Sequence, residues 1–112
     1  MVKPVDEEPE VVLTHWGIMQ ENRIGFRLVG VHAGTGRGRV TSALVEFEEL
    51  TMIAKTKSGR TYHLRGPTDP DATAAMIHEH IQRWGLTVHE VAMADVSDLA
   101  YALPQNPQGS WH

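Results

Sequence analysis

Residues 33–47 read AGTGRGRVTSALVEF, with Gly34, Gly36 and Gly38 at alternate positions ahead of an apolar run. The run after the glycines decides between two folds. A helix starting there would aim backbone N–H groups at an anion, as phosphate-binding loops do. A strand starting there would make the glycines a turn. RVTSALVEF (39–47) has a strand pattern. Thr41, Ala43, Val45 and Phe47 form one face; Val40, Ser42, Leu44 and Glu46 form the other. Both faces carry apolar groups, which fits a central strand or one that bends between layers. The nucleotide fingerprint needs its third glycine one residue later, where Arg39 stands, and no Walker lysine comes after it. The turn is therefore the expected reading. Arg37 and Arg39 keep an anion-binding role open, because arginine holds phosphate bidentately.

Extended segments surround this stretch. VVLTHWGIM (11–19) is rich in large and β-branched apolar residues. RIGFRLVGV (23–31) places Ile24, Phe26 and Leu28 on one face and Arg23, Gly25 and Arg27 on the other. QEN links these two runs. TMIAKTK (51–57) and RTYHLR (60–65) flank Ser58-Gly59, a hairpin signal. Tyr62 and Leu64 share a face there. Five strands with short links predict an antiparallel meander.

The period changes after residue 68. Thr68 or Asp69 can cap a helix, Pro70 suits its first turn, Asp71 complements the dipole, and Gly85 can close it. Ala74, Ile77, Ile81 and Trp84 recur at helical spacing and are expected to face the sheet. Val88 and Val91 fit a short sixth strand. Residues 94–103 fit a second short helix with Val96, Leu99 and Leu103 on one face. The expected fold is α+β: an antiparallel, curved sheet of five to six strands, packed by one main helix at about 70–84 and a short C-terminal helix. A partly closed barrel is the variant.

The chain has 112 residues, 41% of them hydrophobic and 21% charged, which fits one domain. It has no cysteine, so disulfides and thiolate metal sites are excluded, and the cytoplasmic compartment is the default. No apolar run reaches the roughly 20 residues of a membrane helix, and MVKPVDEEPE lacks the apolar block of a signal peptide. The net charge is −4, but Asp6, Glu7, Glu8 and Glu10 oppose only Lys3 in the first ten residues. Residues 1–10 therefore read as a mobile acidic arm, 11–103 as a single α+β domain, and 104–112 as an irregular tail.

Catalytic signals are sparse. No G-x-S-x-G surrounds any serine. Glu46, Glu48 and Glu49 read as a solvated edge and turn. Seven histidines include His78 and His80, but residues two apart on a helix point about 200° apart. The zinc-protease spacing of four is missing, since Gln82 stands four after His78 and Trp84 four after His80. A metal-dependent enzyme using His63, His78 and His80, its composite site drawn from His78 or His80 with His63 or His89, is the least favoured reading, and neither cofactor nor metal is expected.

Basic residues gather in the strand region: Arg23, Arg27, Arg37, Arg39, Lys55, Lys57, Arg60 and Arg65. Such a face can hold single-stranded nucleic acid or another anion. Phe26, Phe47, Tyr62 and Trp84 are assigned to the core, and no ribonucleoprotein motif occurs, so this is the alternative. GRVTSALVEFEELTMIAKTKSGRTYHLRGP (38–67) resembles a stretch of small uncharacterised proteobacterial proteins. That resemblance implies a bacterial or mobile-element source and carries no activity.

The expected function is a non-catalytic, protein-binding module. A sheet edge and the 33–39 loop engage a protein partner or a second copy as a homodimer. The partner- or anion-binding residues are Arg37, Arg39, Lys55, Lys57 and Arg60. No membrane is involved.

Overall fold

The computed structural model describes residues 3–103; the expected tail at 104–112 lies outside the described residues. Along the chain come β1 Glu10–Glu21, β2 Gly25–His32, β3 Gly38–Glu48, β4 Ile53–Thr56, β5 Thr61–Leu64, α1 Pro70–Trp84, β6 Val91–Ala94 and α2 Val96–Ala102. The architecture is α+β: one sheet, a main helix and a short C-terminal helix.

Short links make each of β2 to β5 antiparallel to the strand before it. β5 then returns beside β1, so the pairings run round a ring of five strands. An odd number of alternating strands leaves the first and last pointing the same way. The closing β1–β5 pair is accordingly parallel, with Val11 opposite Tyr62 and Leu13 opposite Leu64. The sheet is thus mixed, mostly antiparallel, where the sequence predicted antiparallel pairing throughout.

β1 belongs to two structures at once. β2 runs along one of its edges. The other edge pairs with β5 at Glu10–Leu13 and with β6 at Ile18–Glu21. Between these sections Thr14 faces Val31 while Gly17 faces Val29, so β1 holds one extra residue. His15 sits there with φ 47°. Because of the bulge, Val11, Leu13, Trp16 and Ile18 all point into the ring. They meet Leu28, Leu44, Phe47, Tyr62 and Leu64, with Leu99 of α2 against them. Trp16 is fully buried and its indole N–H donates to the Gly66 carbonyl at 2.9 Å.

β3 bends for the same reason. Arg27 and Val29 of β2 oppose Ala43 and Val40, and Leu44 and Glu46 oppose Thr56 and Lys55, so β3 carries an extra residue against each neighbour. Its buried positions are Thr41, Leu44 and Phe47, three apart, rather than the alternate set expected from a regular strand.

The bulge also seats α1. The Asp69 N–H donates to Trp16 O at 2.9 Å, and its carboxylate accepts from the Ala72 N–H at 3.0 Å as the helix N-cap. Gly85 closes the helix at φ 65°. Thr73, Ile77 and His80 are the buried residues of α1. Ala74 is exposed and Trp84 is 67% exposed, which corrects the stripe expected from apolar spacing. Ile77 and Ile81 do pack against the sheet as expected, and two polar residues complete the buried side. Thr73 fits against Gly17, where an added Cβ would lie 1.9 Å from Thr73 Oγ1. His80 is held by Glu21 at 2.8 Å. A second apolar cluster of Met19, Val29, Ile77 and Val91 fills the space between α1 and the outside of the ring. No helix among the described residues is long and apolar enough to cross a membrane.

Gly17→Ala should destabilise the protein by about 1–3 kcal/mol through overpacking against Thr73. Urea unfolding measures this. A change near zero would show that α1 can lift off β1 freely.

Candidate anion-binding site

The link between β2 and β3 is a turn followed by a strand, so no helix N-terminus backs the glycines. Its amides do converge, but on a side chain of the protein. The N–H groups of Gly34 and Thr35 donate to His32 Nδ1 at 3.0 and 3.1 Å. The Gly36 N–H donates to His32 O, and the His32 N–H to Arg37 O, both at 2.8 Å. Two donors on Nδ1 place the imidazole proton on Nε2. That N–H donates to Glu8 Oε2, with Nε2 and Oε2 3.1 Å apart. The loop is therefore wound round one buried histidine, and this winding sets where Arg37 and Arg39 emerge.

Glu8 comes from the acidic arm. Its other oxygen accepts from Arg39 Nη2 at 3.5 Å. The hydrogen bond from His32, aided by the Arg39 charge and opposed by partial burial, holds the Glu8 carboxyl below the usual carboxylate range. A second carboxylate plays the same part on β1: Glu21 Oε1 lies 2.8 Å from His80 Nε2 and 3.1 Å from Arg27 Nη1. Arg27 Nε also donates to the Thr41 carbonyl at 2.6 Å. Each glutamate thus joins one histidine to one arginine, and all four of these partners line the same cleft.

The cleft has a volume of about 690 Å³. One wall is β2, β3 and their link, through Arg27, His32, Thr35, Arg37, Arg39 and Val40. The other is α1, through Met76, Glu79, His80, Arg83 and Trp84. Four guanidinium groups stand here against the carboxylates of Glu8, Glu21 and Glu79. The Glu79–Arg83 pair is exposed and four residues apart on the helix, so it constrains Arg83 little. Among the described residues the Arg37 side chain has no hydrogen-bond or ion-pair partner, and Arg39 Nη1 is buried without an acceptor.

The residues predicted from sequence separate into three groups. Arg37 and Arg39 come together in the cleft. Lys55 is exposed with Glu46 4.0 Å away, Lys57 is exposed, and neither lines the cleft. Arg60 turns inward: it is 6% exposed, and its guanidinium donates to the Glu8 and Lys3 carbonyls. It anchors the arm that carries Glu8. Arg83 was not singled out in the sequence and Trp84 was assigned to the core, although helical spacing from Met76 through His80 puts both on one side of α1.

The histidines weighed for a metal part company. His63 Nε2 lies 2.6 Å from Glu10, His80 is bound to Glu21, and His78 is exposed. Among the described residues no three histidine or carboxylate side chains gather into a metal-binding group. No protein-family model, curated protein or solved structure matches the chain.

A carboxyl lowered by folding contributes stability that is complete above its unfolded pKa and is lost as pH falls through the folded value. Glu8 therefore stabilises at neutral pH, and that share disappears below about pH 4.5. Asp69, lowered first by the Ala72 N–H and then by His15, behaves alike. Thermal melts from pH 7 to pH 3 should show Glu8→Gln less stable than the parent at pH 7 but falling less in acid. Parallel curves would contradict the Glu8 contacts.

Proposed function

We propose that the protein is a non-catalytic binding module whose cleft between α1 and the β2–β3 link holds an anionic ligand. One observation carries this reading: four arginines converge on a single cleft, and two of them keep unused donors. The Arg37 guanidinium has no partner among the described residues, and Arg39 Nη1 is a buried donor with no acceptor. A buried donor without an acceptor is costly, on the order of 1–3 kcal/mol. An incoming oxyanion supplies acceptors and is well matched to planar, forked guanidinium donors. Docking at a sheet edge has less to work with. Among the described residues β6 pairs only with β1, and it offers an edge of four residues.

The test is the affinity of the full chain for inorganic polyphosphate as salt is raised. Arg37→Ala removes an exposed side chain and should leave folding intact. It is expected to weaken binding tenfold or more, as loss of a charge-assisted hydrogen bond does, and to make the salt dependence shallower. Arg39→Ala should add to this loss. Lys55→Ala with Lys57→Ala should have little effect. Binding that ignores Arg37, or that depends on Lys55 and Lys57, would refute the cleft as the site.

A further inference from the structure

We infer that the ligand of this cleft is single-stranded nucleic acid, its phosphates on the arginines and an unpaired base on the indole of Trp84. The inference rests on the anion-binding reading and goes further than it. Charge alone would be satisfied by any polyanion. What singles out a base is Trp84.

Trp84 is the last residue of α1 and is 67% exposed on the cleft wall beside Arg83. The other described tryptophan, Trp16, is wholly buried with its N–H bonded. A large ring left in water forgoes the free energy of burial. Packing against the ring does not account for its position, since the α1 face toward the ring is made by Thr73, Ile77 and His80 among the described residues. An indole face at the rim of an arginine-lined cleft is the combination that single-strand binders use. A basic groove tracks the phosphates and an aromatic ring stacks a base of any sequence. Arginine also stacks on bases, so Arg83 can extend the platform. The cleft volume of about 690 Å³ lies inside the usual range for ligand sites, roughly 300–1,000 Å³. A duplex keeps its base faces stacked internally and offers Trp84 nothing. An acidic peptide offers carboxylates but no extended π-face.

Fluorescence anisotropy with labelled deoxythymidine and uridine oligomers tests the idea, with a duplex of equal length, inorganic polyphosphate and an oligoglutamate peptide as the other arms. The expected result is that both oligomers bind more tightly than duplex, polyphosphate or peptide. Trp84→Ala should weaken oligomer binding by on the order of tenfold and leave polyphosphate binding unchanged. Trp84→Phe, which keeps a stacking face, should restore most of the loss. The DNA and RNA oligomers separate the two sources of such a strand by their relative affinities. If polyphosphate, duplex or peptide binds as tightly as the oligomers, or Trp84→Ala binds oligomer like the parent, the base-stacking inference fails while the anion site stands. If no polyanion binds at low salt, the anion site itself fails.

Discussion

The extra residue that β1 carries between Thr14 and Gly17 governs what each half of that strand can touch. Before it, β1 closes the ring with β5; after it, the same edge accepts β6. Without the shift, Trp16 would point away from the ring and Gly17 into it. With the shift, Trp16 fills the interior and Gly17 presents bare backbone to Thr73. The freed Trp16 carbonyl takes the Asp69 N–H, and His15 Nδ1 reaches the Asp69 carboxylate at 3.0 Å. Ring closure, core filling and the seating of α1 all depend on one inserted residue.

The position of α1 creates the cleft. Seated at Gly17 by its first turn, the helix runs over Met19, Val29 and Val91 and brings His80 to Glu21. Its far end then faces the β2–β3 link across open space. The two glutamates at the margin are shared, one between His32 and Arg39, the other between His80 and Arg27. A shared carboxylate fixes an arginine in place without using all its donors. Arg37 has no such carboxylate among the described residues, and Arg83 has only a weak helical one. Positive charge is thus held in a fixed pattern on one wall and left adjustable beside it. Buried Arg60, at the start of the β5 region, contributes by fixing the backbone that delivers Glu8.

Much of the frame was legible in the sequence. Ser58-Gly59 marked a hairpin, Asp69 and Gly85 marked the ends of α1, and the strand pattern after Gly38 ruled out a helix. Bulges were not legible, because an inserted residue leaves composition and local alternation nearly unchanged. The faces of β3 were therefore read two apart, where burial falls at Thr41, Leu44 and Phe47. The buried side of α1 was read correctly at Ile77 and Ile81 but not at Ala74 and Trp84, for a related reason. Apolar spacing cannot reveal that Gly17 makes room for Thr73 or that Glu21 balances His80, since both partners are distant in sequence. The misreading hid Trp84 in the core and left Arg83 out of the site. Of the site, Arg37 and Arg39 were found through their place beside the glycines. Lys55 and Lys57 were grouped with them only because charge on neighbouring strands cannot be assigned to one wall before the ring is closed.

The cleft formed where α1 faces the β2–β3 link is proposed as the place where the protein meets its ligand. A nitrogen-15 NMR titration of the full chain with a short deoxythymidine oligomer tests it most directly, residue by residue. Shifts are expected to concentrate at residues 32–40 and 76–84, including the Trp84 indole N–H, with the 53–61 hairpin quiet. Perturbations centred on Lys55 and Lys57 or on β6, or a spectrum that stays unchanged at low salt, would contradict it.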